Sequence, residues 1–229
     1  MSSTTHTALG TVLTATRYVL LDFDGPVCSI FPGRTAPLIA GALAARMRSH
    51  NVAVPDHVLH HGDPLDVLRY AGRIGGPLTE QVEQALQAAE LTAAETALPT
   101  PGAAEFLTAC HRTGRSVAVV SNNSAPAVYR YIDKAGLATL VAHIEGRDPH
   151  DLGLMKPHPA LLLRAIRALG GRSEATVLIG DSTTDLEAAQ AAGILSVGYA
   201  NKAGKAERLA GAGAVFTSMT ELAATVARV

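Results

Sequence analysis

The first acidic residues in the chain stand two apart in Asp22-Phe23-Asp24, and a glycine, Gly25, follows directly. In extended backbone, residues i and i+2 point the same way, so the two carboxylates can converge on one site. Close carboxylates repel unless a cation or a shared proton compensates. A hard, oxygen-liganded cation such as Mg²⁺ would do so. Gly25 lets the chain turn and expose backbone N–H groups. A later cluster, Gly180-Asp181-Ser182-Thr183-Thr184-Asp185, gathers two more acids. The four carboxylates need positive charge for balance, and lysine occurs only at positions 134, 156, 202 and 205. One of these, Lys156, sits in Met155-Lys156-Pro157, where the proline holds it extended. Ser121 offers a hydroxyl, followed by Asn122 and Asn123. Gathered acids, one hydroxyl and one lysine are the parts of a cation-assisted polar site.

Other reactive residues compete with that reading. Cys28 and Arg34 fit the Cys-x5-Arg phosphate loop, in which a thiolate attacks phosphorus and arginine binds two oxygens. Bulky Phe31 and Pro32 stand where such a loop needs small residues and backbone donors, so Cys28 is expected to pack beside the site. Cys110 falls in the apolar pattern of a helix and reads as core. His50, His57, His60 and His61 read as surface or helix-end residues rather than metal ligands. Arg34, Arg46, Arg69 and Arg73 are available to an anionic substrate tail, although each alone suits a solvated helix.

Strands and helices must carry these groups. Tyr18-Val19-Leu20-Leu21 ends at Asp22, Val117–Val120 at Ser121, and Thr176–Ile179 at Gly180-Asp181, with a fourth run at Ile194–Val197. Unbroken β-branched runs suit strands buried on both faces of a parallel sheet. Helical patterns alternate with them over 102–113, 124–135, 158–169, 183–192 and 202–210. That alternation predicts an α/β fold with a Rossmann-like parallel sheet and helices on both faces. In such sheets ligands bind outside the carboxyl ends of the strands, which places all the acids on one edge. Residues 32–98 break the alternation with helical signals alone, including Asp63-Pro64 as N-cap and first helical residue. They predict a helical cap over the sheet edge, with Pro99 and Pro101 as helix-starting prolines on return. The expected division is a flexible tail over 1–16, a core over 17–31 and 99–229, and a cap over 32–98.

Composition narrows the class. The chain has 229 residues, 48% hydrophobic and 17% charged, with 19 basic against 20 acidic residues. Such a chain is not disordered by composition, and it lacks the basic footprint of a nucleic-acid binder. No long charge-free apolar window predicts a membrane span. Two cysteines cannot build a disulfide framework, which favours a reducing, cytoplasmic setting.

Taken in order, Asp-x-Asp, Ser, Lys and Asp…Asp, each at a strand end or loop, resemble the haloacid dehalogenase superfamily. The resemblance spans about residues 17–200. It points to the helical-cap, phosphoglycolate phosphatase-like branch. It implies Asp22 as a nucleophile forming an aspartyl-phosphate and Asp24 as general acid and then base. Ser121, Asn122 and Lys156 would bind the phosphoryl group, with Lys156 also holding Asp22. Mg²⁺ would be held by Asp22, the Asp24 carbonyl, Asp181 and, directly or at one remove, Asp185. The implied activity is hydrolysis of a small phosphorylated metabolite. The alternatives are a phosphomutase of the same fold or a non-catalytic phosphometabolite-binding protein. Asp24 argues against the dehalogenase branch, which lacks the second acid. A cap without lysine argues against a Schiff-base phosphonatase. Pro26 departs from the family, where threonine usually follows Asp-x-Asp-Gly.

Overall fold

The computed structural model describes residues 3–33 and 35–229, with side chains from residue 8 onward. Arg34, the arginine of the Cys-x5-Arg reading, lies outside the described residues. A six-stranded, wholly parallel sheet is built from β1 (Tyr18–Leu21), β4 (Ser116–Val120), β5 (His143–Glu145), β6 (Thr176–Gly180), β7 (Leu195–Tyr199) and β8 (Ala214–Phe216). Its order is β5-β4-β1-β6-β7-β8, so the three acid- and serine-bearing strands lie side by side at the centre. Register pairs Leu20 with Ala118 on one side and Leu178 on the other.

Strand periodicity sends alternate residues to opposite faces. Val19, Leu21, Val117, Val119, Val177 and Ile179 join one apolar cluster. There they meet α1 (Ser3–Thr14), α6 (Ala103–Arg112), α7 (Ala125–Lys134) and α11 (Met219–Val226). Leu20, Ala118, Val120 and Leu178 face the other way, onto α8 (Ala160–Ala168) and α9 (Thr183–Ala191). Both faces are covered, which is why the strands read as continuous apolar runs.

A third cluster, including Leu43, Met47, Leu68, Val82 and Leu86, binds the inserted helices to one another. These are α2 (Thr35–Ser49), α3 (Asp56–Leu59), α4 (Pro64–Ile74) and α5 (Pro77–Ala94). Asp63 caps α4 as expected, accepting the Leu65 N–H at 2.8 Å with Pro64 next in line. The segments leading in and out pair as two short antiparallel strands, β2 (Cys28–Ser29) and β3 (Leu98–Pro99). Pro99 is therefore a strand residue rather than a helix start, and α6 begins only after Gly102, at a left-handed φ of 89°.

Two further expectations change. Residues 3–14 are a helix, not a flexible tail: Leu9 and Leu13 are fully buried, and Arg115 Nη2 donates to the Leu13 carbonyl at 3.0 Å. Leu9, Val12 and Leu13 supply helical i, i+3, i+4 spacing within a Ser/Thr-rich stretch whose composition resembles a loop. The helix expected at 202–210 shortens to α10 (Lys205–Arg208), and β5, β8 and α11 were not anticipated.

Candidate active site

Each site residue is delivered by the carboxyl end of a strand or by the segment that follows it. Asp22 follows β1, its N–H bonded to the Ile179 carbonyl at 2.9 Å. Ser121 follows β4, its N–H bonded to the Glu145 carbonyl at 2.9 Å. Asp181 follows β6, and Asp185 sits in the first turn of α9. The cap closes over this edge and leaves a cavity of about 910 Å³ between Asp22, Asp24, Lys156 and Asp181 below and Asp63 and Arg69 above.

The Lys156 ammonium lies at the centre of the site and is almost wholly buried. It donates to Asp22 Oδ1 at 2.6 Å, Asp185 Oδ1 at 2.6 Å and the Val120 carbonyl at 3.0 Å, which uses all three protons. Burial alone would lower its pKa, but Asp185 and Asp22 outweigh that, so the lysine stays charged. Its backbone is gripped by Asn122, whose Oδ1 accepts the Lys156 N–H at 2.8 Å while Nδ2 donates to the Lys156 carbonyl at 3.0 Å. The Asn122 amide, expected at the substrate, thus holds the lysine backbone, and the residue also lines the cavity. Ser121 Oγ accepts the Asn123 N–H and donates to Asn123 Oδ1, each at 3.0 Å.

The acids divide by environment. Asp185 uses Oδ1 on Lys156 and Oδ2 on the Asp181 and Ser182 N–H groups and the Ser182 hydroxyl, and its own N–H donates to Ser182 Oγ, which with the Ser182 N–H bond completes a helix capping box. Capping and lysine support therefore occupy both of its oxygens. Asp181 Oδ2 accepts from Asn201 Nδ2 at 3.1 Å and from Lys205 Nζ. One carboxylate oxygen each from Asp22, Asp181 and Asp185 lies within 4.8 Å of the others, a grouping able to hold a metal ion. Burial, then Asp185, raise the Asp22 carboxyl well above its usual range despite Lys156. A further positive charge would relieve that strain, so the donor set fits a hard divalent cation.

Asp24 opens onto the cavity and accepts the Ile30 N–H at 3.1 Å. It remains accessible, yet the cavity walls displace enough water to push its carboxyl up to about 6, with Asp181 and Asp63 adding to the rise. Gly25 takes a left-handed φ of 118°, and a Cβ there would meet Asp181 Oδ2 at 2.4 Å. Glycine is what allows the two acid loops to approach. Pro26 brings no hydroxyl to this loop; Thr100 Oγ1 donates to the Gly25 carbonyl at 2.5 Å instead.

The competing residues fall away from the chemistry. Cys28 is fully buried, and burial raises its thiol far above the usual range, so no thiolate is available near neutral pH. His60 and His61 pack edge to face at 4.9 Å, and the Asp22-Asp181-Asp185 group is the metal-capable cluster among the described residues. Of the arginines named from sequence, Arg69 reaches the cavity. It bonds to Asp66 at 3.2 Å and to the Lys156 carbonyl at 3.4 Å. Arg73 covers the Tyr70 ring and Arg46 is exposed. Sequence reasoning missed Glu83, Glu90 and Arg147, which are buried behind the Ser121–Ser124 turn. Their one available signal was the seven-residue spacing that puts both acids on the inward side of α5 beside Leu86.

Comparison with known proteins relates the chain to a wider set. The family model for haloacid dehalogenase-like hydrolase matches residues 16–193. A phosphoglycolate phosphatase of Pectobacterium atrosepticum is 30% identical over 195 residues, covering 81% of each chain. One of Salmonella typhimurium is 34% identical over 124 residues, 53% of this chain and 48% of that one. The chain thus spans about half the length of the Salmonella relatives it matches. Among solved structures, CbbY from Rhodobacter sphaeroides in complex with phosphate superposes with a TM-score of 0.69 at 20% identity, covering 90% of this chain and 96% of that one. A predicted phosphatase from Clostridium acetobutylicum gives 0.70 at 19%, covering 93% and 99%. No described helix is long and apolar enough to cross a membrane.

Proposed function

The chain belongs to the haloacid dehalogenase-like hydrolases, and on that premise we propose that it is a Mg²⁺-dependent phosphatase. It would hydrolyse a small phosphorylated metabolite through an aspartyl-phosphate on Asp22. The observation that carries this reading is the buried Lys156 ammonium bridging Asp22 and Asp185 beside Asp181. Lys156 occupies Asp22 Oδ1, which leaves Oδ2 to attack phosphorus. Carboxylates are established covalent nucleophiles for phosphoryl groups, and the transition state mainly needs positioning and charge neutralisation. A divalent cation held by Asp22, the Asp24 carbonyl and Asp181 would offset the negative charge of phosphate and nucleophile.

Asp24, its carboxyl pushed up to about 6, would give its proton to the leaving alcohol oxygen as the P–O bond breaks. The resulting carboxylate then takes a proton from water as that water attacks the phosphoryl group and frees Asp22. Closure of the cap would keep bulk water and large substrates from the site. Its relatives named phosphoglycolate phosphatase support a small phosphate monoester as substrate.

The test is a phosphate-release screen over small phosphomonoesters with Mg²⁺ or EDTA. Activity is expected with Mg²⁺, lost in Asp22→Asn and kept in Cys28→Ala. Activity in EDTA that depends on Cys28 overturns the aspartate mechanism, and an isomeric phosphate ester in place of free phosphate identifies a mutase.

A further inference from the structure

A line of buried polar contacts runs from the cap to the catalytic lysine. Arg147 follows β5 by two residues, and its side chain, like that of Glu90, is wholly buried. Its Nε donates to Glu83 Oε1 at 3.0 Å and Oε2 at 2.7 Å. Its Nη1 donates to Glu90 Oε1 at 2.6 Å and to the Asn122 carbonyl at 3.1 Å, and its main-chain N–H to the Asn123 carbonyl at 3.0 Å. Glu90 Oε1 also accepts from Asn123 Nδ2, and Oε2 from the Ser124 N–H, both at 3.0 Å. Residues 122, 123 and 124 are therefore each held by this pair, and Asn122 in turn clasps the Lys156 backbone.

Stability does not account for the arrangement. A buried ion pair is often matched or bettered by apolar side chains of the same volume. Here two acids share one arginine, and Arg147 Nη2 is buried without a partner among the described residues. What the group achieves is directional: it fixes a turn that apolar packing could not orient.

We propose that Glu90 and Arg147 are positioning residues for phosphoryl transfer. They hold the Ser121–Ser124 turn, and through Asn122 they hold Lys156 against Asp22, so the site's geometry depends on the seating of cap helix α5. This rests on the phosphatase reading above. Neither residue touches the reacting atoms; both act through Asn122 and Lys156.

The experiment compares Glu90→Gln, Asn122→Ala and the double variant in the full chain with Mg²⁺. Arg147→Lys serves as a charge-conserving second variant that cannot reach both glutamates. Glu95→Gln, which removes the charge from the exposed pair between the end of α5 and Arg130 on α7, serves as the control expected to match wild type. Folding is checked by thermal unfolding. kcat and KM are read from phosphate release, and backbone positioning from hydrogen exchange over peptides covering 120–124 and 155–156. For Glu90→Gln, kcat should fall about 10- to 100-fold with KM near wild type, as expected when supporting hydrogen bonds are lost and a catalytic group drifts. The double variant should be no slower than the slower single variant, and exchange at 121–124 should rise. A folded Glu90→Gln with wild-type kcat, kcat losses that multiply in the double variant, or unchanged exchange at 121–124 overturns the proposal. A wild-type chain that releases no phosphate from any ester overturns the phosphatase reading instead, and the exchange result still decides whether Glu90 holds the turn.

Discussion

Asp24 is where activity and stability pull in opposite directions. The cavity walls push its carboxyl up to about 6, whereas an aspartate in an unfolded chain titrates near about 3.9. The folded protein thus holds this proton more tightly than the unfolded one, so folding loses stability as pH rises from about 4 to about 6 and carries the full cost above that. A difference of about two pH units corresponds to about 3 kcal/mol. Because Asp24 opens to water in the cleft, screening reduces the figure to about 1–2 kcal/mol. In Asp24→Asn the Oδ1 acceptor for the Ile30 N–H survives and the charge is gone. The variant should gain about 1–2 kcal/mol at about pH 7.5, a rise in Tm of about 2–8 °C for a chain of this size. That gain should vanish by about pH 4. Turnover should fall by about 10²–10⁴, the usual worth of a general acid–base. Urea denaturation of both proteins across this pH range in EDTA, alongside phosphate release, makes the test. A variant less stable than wild type at neutral pH, or a gain that persists unchanged in acid, would refute the reasoning.

Lys156→Met strands Asp22 and Asp185 without their buried cation and should cost about 3–5 kcal/mol in urea denaturation at neutral pH, with turnover lost. Gly25→Ala forces a Cβ towards Asp181 at a φ that L-residues avoid; it should lower both stability, by about 1–3 kcal/mol, and Mg²⁺-dependent turnover. Mg²⁺ binding to the acid cluster should stabilise the folded chain by about 2.7 kcal/mol at one hundred times its Kd. Calorimetry should show that effect shrinking in acid, as protons compete for Asp22, and disappearing in Asp181→Asn. Leu13→Ala should cost about 3–5 kcal/mol in urea denaturation, because the first helix is core and not tail.

The parts of the site that were legible in sequence share one property: their position follows from local pattern plus a topological rule. Apolar runs ending in Asp22, Ser121 and Asp181 become central strands, and a parallel sheet must then present those residues on one edge. The Lys156 contribution was readable because so few lysines exist to balance the acids. The first helix was misread because Ser and Thr dominate its composition while its burial rests on Leu9 and Leu13. The strands β5 and β8 are only three residues each, too short for a period to show.

What stayed hidden is the set of partners joined across the fold. Arg147 meets Glu90 and Glu83 across 57 and 64 residues of chain, and Thr100 supplies a hydroxyl to Gly25 across 75. No window along the sequence contains both members of such a pair. Each residue alone has a bland reading: an acid on a helix, an arginine in a loop, a threonine before a turn. The same holds for Asn122, whose place beside Ser121 suggested the substrate while its amide faces the Lys156 backbone. Sequence order could bring the reacting groups to the sheet edge because strands carry them there. The groups that set their distances come from the cap and from neighbouring loops, so the precision of the site is a property of how α5 seats on the core.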